Sequence, residues 1–233
     1  MEKPSIKTIA FEGLHRSGKG TQIEILNQKL ETLGIPTVTI RGAGSRPNSD
    51  SSIGDPYSLW WEKHLKVLRS PDAKKLDWID GARRLARELV VFRDRVLPKL
   101  TKEQQKDEAI LLVDRSVLSH LAILEKNEIS NLGENIYGTK DINGRNLPEI
   151  KDVFPDLIFY MKADTEILLS RLEKDDPKYE FRRRNILENV DSFQKAIEAI
   201  PEKYRDRIIQ VDASASIEEI GNYIFNIIKN LLK

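Results

Sequence analysis

Residues 5–11, Ser-Ile-Lys-Thr-Ile-Ala-Phe, alternate between β-branched or apolar and polar positions and run into Glu12-Gly13, which predicts a first β-strand. Beyond a glycine-bearing stretch, Ile23, Leu26, Leu30 and Leu33 recur at steps of three and four. They stop at Gly34-Ile35-Pro36, so the pattern predicts a helix with that face inward. Strand, glycine loop and helix in succession make one βα unit. Residues 36–41 read as a second strand, and residues 42–55, rich in Gly, Ser, Asn and Pro, read as a loop whose length suggests a function.

Helical patterns run through residues 56–70 and 73–100, the second carried by Ile79, Ala82, Ala86 and Leu89. Residues 109–113 are apolar without a break, as expected of a strand covered on both faces. Residues 117–128 read as helix, and residues 129–153 carry a turn signal at Asn143-Gly144. A fourth strand at 157–161 leads into a helix from about 164 to 174, and the segment 171–184 is charged and poorly periodic. Ile186, Val190, Phe193, Ile197 and Ile200 predict the next helix, and residues 207–211 a fifth strand. Ser216-Ile217-Glu218-Glu219 has the form of a capping box, opening a last helix with Ile217, Ile220, Ile224, Ile227 and Leu231 inward. Five short strands alternating with helices predict an α/β fold, a five-stranded parallel sheet flanked by helices on both faces. With no internal repeat and no linker in 233 residues, the chain reads as a single domain, residues 1–233.

Composition removes several alternatives. There is no cysteine, which excludes a disulfide scaffold, a thiolate zinc site and a cysteine nucleophile together. The three histidines are scattered, at His15, His64 and His120, which argues against a histidine-rich metal site. Thirty-eight basic residues against thirty-seven acidic ones give a net charge of +1, which argues against a protein that binds nucleic acid through its overall charge. No apolar run reaches the ~20 residues that cross a bilayer, and no apolar leader precedes the first strand. The expectation is a soluble, cytoplasmic protein with no membrane and no nucleic-acid partner.

The chemistry starts between the first strand and the first helix. Gly13-Leu14-His15-Arg16-Ser17-Gly18-Lys19-Gly20-Thr21 is a phosphate-loop pattern in which Gly20 takes the usual hydroxyl position and Thr21 follows it. Two glycines at this spacing followed by Lys-Gly-Thr arise by chance in about one chain in a few thousand at ~7% glycine usage. The backbone N–H groups around Gly13, Gly18 and Gly20, added to a helix N-terminus, form a nest for phosphates. Lys19 reaches the β and γ phosphates in such a loop, and either Ser17 or Thr21 supports phosphate or Mg²⁺. Asp114 closes an apolar strand, where a carboxylate can face a metal or an arginine; its alternative role is to cap the helix that follows, which Ser116 can also do.

Residues 11–22, Phe-Glu-Gly-Leu-His-Arg-Ser-Gly-Lys-Gly-Thr-Gln, resemble the opening of a thymidylate kinase. Three more stretches are similar to that family in order: Leu112-Val113-Asp114-Arg115-Ser116 through Ala122, Pro155-Asp156-Leu157-Ile158-Phe159-Tyr160, and Ile208-Ile209-Gln210-Val211-Asp212-Ala213-Ser214 through Glu219. The resemblance implies transfer of the ATP γ-phosphoryl group to a deoxynucleoside monophosphate, most simply dTMP giving dTDP, with Mg²⁺ as cofactor held by Thr21 and Asp114, in part through water. It implies small-molecule nucleotides as partners and a homodimer, to which the apolar helices between residues 56 and 124 also point. Arg41, Arg115 and Ser119 would meet the acceptor, together with Arg83 or Arg87 from one helix, and Arg171 and Ala213 would lie on the adenine side. The basic segment 171–184 resembles a lid. Either Arg16 or a lid arginine, Arg182, would bring a catalytic cation to the transferring group beside Lys19 and Asp114. Departures fall on the base side: Ser116 stands where the family has tyrosine, and Ile123-Leu124 where it has Tyr-Gln. A kinase for another nucleoside or nucleotide, or a phosphate-loop protein without turnover, is the alternative reading.

Overall fold

The structure is a computed structural model, and it describes residues 5–41, 93, 108–126 and 154–232. Within them the strands are β1 (Ser5–Glu12), β2 (Thr37–Arg41), β3 (Glu108–Asp114), β4 (Leu157–Lys162) and β5 (Ile208–Asp212). The helices are α1 (Lys19–Thr32), α2 (Val117–Lys126), α3 (Thr165–Ser170), α4 (Tyr179–Ala199), α5 (Glu202–Arg205) and α6 (Ile217–Leu231). Apart from residue 93, the loop expected over 42–55, the helices expected over 56–70 and 73–100, with Arg83 and Arg87, and the segment 129–153 lie outside the described residues.

All five strands are parallel, in the order β2-β3-β1-β4-β5. The central strands are apolar on both sides because both sides are covered. Ala10, Leu111, Val113 and Ile158 face one core layer with α2 and α4, through Leu118, Leu121, Ile186 and Phe193. Ile9, Phe11, Ile110, Leu112 and Phe159 face the other with α1 and α6, through Ile23, Leu26, Ile224 and Ile228. β1 is the middle strand, and the chain leaves it first towards β2 and later towards β4, so the crevice where the strand order reverses opens at its C-terminal end. A polar clamp fixes that register. Asp156, ahead of β4, accepts the Thr8 N–H at 2.8 Å and returns its own N–H to the Thr8 carbonyl at 2.9 Å.

Three expectations change. Leu33 is 52% exposed, because α1 ends at Thr32 and Leu33 is its C-cap; Ile217, the first residue of α6, is 59% exposed, while Ile220 in the same turn is buried. The helix expected to run to residue 174 stops at Ser170, and the charged segment divides into turns up to Lys178 and the first turns of α4, which carry Arg182, Arg183 and Arg184. The capping box of α6 is present in both directions. Ser216 Oγ accepts the Glu219 N–H at 3.2 Å, and Glu219 accepts the Ser216 N–H at 3.1 Å.

Candidate active site

The C-terminal ends of β1 and β3 pair in register, Phe11 with Asp114, and β2 places Arg41 opposite Asp114 on the other side. The loop after β1 turns through three left-handed positions, Gly13, Arg16 and Gly18. At Gly13 φ is 135°, and an added Cβ would lie 2.4 Å from the Met161 carbonyl oxygen of β4, so only glycine fits. Gly18, at φ 86°, starts α1 with no side-chain cap, and no acidic residue stands in the first turn of that helix. Its N-terminal N–H groups and the positive end of its dipole therefore face the loop without a built-in anion.

Lys19 is buried and curls back over the loop. Its Nζ donates to the Leu14 carbonyl at 2.8 Å, the Gly13 carbonyl at 3.1 Å and Ser17 Oγ at 3.3 Å. Burial, reinforced by Arg115, pushes its ammonium down to about 7, against the pull of Asp114 and Glu12. Thr21 is exposed on the first turn of α1 and Ser17 is buried beneath the loop. Gln22, the neighbour of Thr21 in the motif, holds two helices together, since its Nε2 donates to the Ile217 carbonyl at 3.0 Å and so ties α1 to α6.

The Asp114-Arg115 turn is strained and well held. Arg115 has φ 72°, in the left-handed region where a non-glycine residue must be constrained by its surroundings. Its N–H donates to the Phe11 carbonyl at 3.0 Å, and its Nη1 donates to Ser119 Oγ at 3.3 Å. Below it lies Glu12, fully buried. One carboxylate oxygen of Glu12 accepts the N–H of Ser116 at 2.6 Å, the Ser116 hydroxyl at 2.9 Å and the N–H of Ser119 at 3.2 Å; the other accepts the Ser119 hydroxyl. Burial pushes the Glu12 carboxyl up, while Ser119, Ser116 and Arg115 favour its ionised form. The sequence reading missed this residue, although a carboxylate closing an apolar strand was a signal of the same kind as Asp114. Ser116, compared with a base-facing tyrosine, is buried with its hydroxyl given to Glu12, and Ser119 reaches outward only through Arg115. Asp114 Oδ1 is buried and has no hydrogen-bond partner.

Cations from three separate stretches converge here. His15 is kept neutral, its pKa pushed down to about 3, first by burial and then by the charges of Arg115, Lys19, Arg182 and Arg16. Arg171 also meets Ala213: its Nη2 donates to the Ala213 carbonyl at 2.8 Å and its Nη1 to the Arg16 carbonyl at 3.4 Å. Four positive groups on the rim of one neutral imidazole, beside an uncapped helix N-terminus, form a site for a highly charged anion such as a polyphosphate. The family profile of thymidylate kinase matches residues 11–224, nearly the whole chain and every element of this site. The chain belongs to the thymidylate kinase family. It is 25% identical to a thymidylate kinase of Thermosipho africanus over 97% of this chain and 98% of that one. It is 29% identical to one of Halothermothrix orenii over 96% of this chain and 97% of the other. In fold it is similar to a thymidylate kinase structure from Candida albicans, with a TM-score of 0.59 at 19% identity over 97% of this chain and 92% of that one. The thymidylate kinase family consists of nucleoside monophosphate kinases that use ATP as phosphoryl donor, which is the anion chemistry the cation cluster fits.

Proposed function

We propose that this chain transfers the γ-phosphoryl group of ATP to dTMP, giving dTDP and ADP. The observation that carries the reading is Lys19 Nζ bonded back over the glycine loop at the uncapped start of α1, with the charges of Arg16, Arg115 and Arg182 acting on His15 in that loop. Two anions must be brought together for this reaction, and the protein offsets their repulsion with fixed cations while lining up the oxygens. An oxygen of the acceptor phosphate forms a bond to the γ phosphorus as the bond from that phosphorus to the β–γ bridging oxygen breaks, and ADP leaves. Lys19 exchanges the carbonyls of Gly13 and Leu14 for the β and γ phosphates, with the loop N–H groups around Gly13, Gly18 and Gly20 holding the rest. Arg115 and Arg41 grip the acceptor phosphate. Glu12 keeps Arg115 in place through Ser119.

Mg²⁺ fits this site. Among the described residues no group of three or more acidic or histidine side chains is gathered for a metal, so the phosphates would supply most of the ligands. Asp114 offers a buried, unpartnered oxygen and Thr21 a hydroxyl on the first turn of α1. When bound, the ion would offset negative charge on the β and γ phosphates.

The test is a screen of ATP with each nucleoside and each nucleoside monophosphate, read by product mass and then by kcat/KM. dTMP is expected to be the best acceptor. Thymidine outrunning dTMP would move the protein to the nucleoside kinases, and ATP binding without transfer to any acceptor would leave a non-catalytic nucleotide-binding protein.

A further inference from the structure

The two arginines that compete for the role of catalytic cation meet at one carboxylate. Asp176 Oδ2 accepts Arg16 Nη2 at 3.4 Å and is also bonded by Arg182 Nη1. Its other oxygen, Oδ1, accepts the Lys178 N–H at 2.8 Å, and the Asp176 carbonyl accepts the Tyr179 N–H at 2.8 Å. Asp176 is thereby anchored to the chain at the start of α4 while its free face is shared by two guanidinium groups. The contact is partly sheltered, with side-chain exposures of 11% for Asp176, 27% for Arg16 and 29% for Arg182. Further ties run across the same seam: Arg16 Nη1 donates to Glu173 at 3.2 Å, Arg171 donates to the Arg16 carbonyl at 3.4 Å, and the Phe181 ring meets His15 edge-on at 6.3 Å.

We infer that Asp176 is a positioning residue that presents Arg16 of the phosphate loop and Arg182 of α4 as a pair to the transferring phosphoryl group. Two guanidinium groups aimed at the same place repel each other. A carboxylate between them offsets that repulsion before any nucleotide arrives. Each terminal guanidinium nitrogen carries two hydrogens, so a contact to Asp176 leaves another N–H for a phosphate oxygen. On this inference Arg16 and Arg182 are not alternatives. They act together, and the acids within a segment read as basic are what join them.

The inference rests on the phosphoryl-transfer reading, and the test separates the two. In the full chain Asp176→Asn should lower kcat by about 10- to 100-fold, the scale of a catalytic group displaced by about an ångström, with KM for ATP and dTMP changed less than about threefold. Asp176→Glu, which keeps the charge, should recover part of the loss. In a background of Arg16→Met with Arg182→Met, adding Asp176→Asn should change kcat by less than about twofold, since there is no pair left to position. Independently of turnover, backbone hydrogen exchange across residues 171–182 of the ligand-free protein should speed up several-fold in Asp176→Asn. A wild-type kcat in Asp176→Asn, or the same loss in the double-arginine background, would overturn the inference. If the wild type transfers phosphoryl to no acceptor, the functional reading fails, and unchanged exchange in Asp176→Asn would then sink the pairing as well.

Discussion

Lys19 carries its charge in an unusual place, and that makes it sensitive to pH. Its folded-state value of about 7 lies below the ordinary 10.5, so between these limits the unfolded chain holds a proton that the folded chain has lost. The ligand-free fold therefore gains stability as pH rises from about 7 towards 10.5. A polyphosphate in the loop reverses the balance by favouring the ammonium. ATP binding at about pH 8, inside that window, is accordingly expected to take up protons, as measured by calorimetry in buffers of different ionisation enthalpy, and Lys19→Met should abolish that uptake. Lys19→Met should also remove transfer while leaving thermal melting near or above the wild-type value, because a buried, desolvated cation is deleted. Glu12 is the second residue whose removal should be felt. Glu12→Gln keeps one oxygen for the N–H groups of Ser116 and Ser119 but loses the charge they face, at a cost of about 1–3 kcal/mol in urea unfolding. Because Arg115 is held by Ser119, which Glu12 also bonds, KM for dTMP should rise more than KM for ATP.

At the scale of elements, the turn from β1 into α1 is decided by β4. The Met161 carbonyl oxygen lies 2.4 Å from where a Cβ of residue 13 would be, so Gly13→Ala must either push β1 away from β4 or open the loop. The expected outcome is a destabilisation of about 1–3 kcal/mol together with loss of ATP binding, since the strained conformation is needed for both. Equilibrium denaturation and ATP titration of the same variant check the two effects. The strands were legible in the sequence because each is a short alternating or apolar run closed by glycine or charge. The ends of α1 and α6 were less so. Periodicity puts Leu33 and Ile217 on the apolar faces, but a helical repeat says which face a residue occupies and not how far it is covered at the end of a helix.

At the scale of the molecule, net charge is close to zero, yet four cations, Arg16, Lys19, Arg115 and Arg182, act together on His15 in the loop after β1. That local charge produces a polyphosphate site on a protein whose total charge attracts no anion in particular. No helix among the described residues is long and apolar enough to cross a membrane. For assembly we propose a homodimer, on the family resemblance alone. Sedimentation at micromolar concentration should give about twice the mass of one chain, and a monomer there would contradict it.

The phosphate loop, the five strands, the capping box and the Asp114-Arg115 pair could all be read from residues close together in the chain, because each depends on local spacing: glycines where the backbone must turn, apolar runs where both faces are covered. What joins these pieces could not. The bonds from Ser116 and Ser119 to Glu12 span more than 100 residues, and those from Arg16 to Glu173 and Asp176 span 157 and 160. A sequence pattern records which residues are polar, but the partner that satisfies a buried charge is chosen by which chain ends the sheet brings side by side. In this protein the tertiary structure alone decided that Glu12 supports Arg115 and that Asp176 lies between two arginines, because both depend on β1 lying at the centre of the sheet with β3 and β4 on either side.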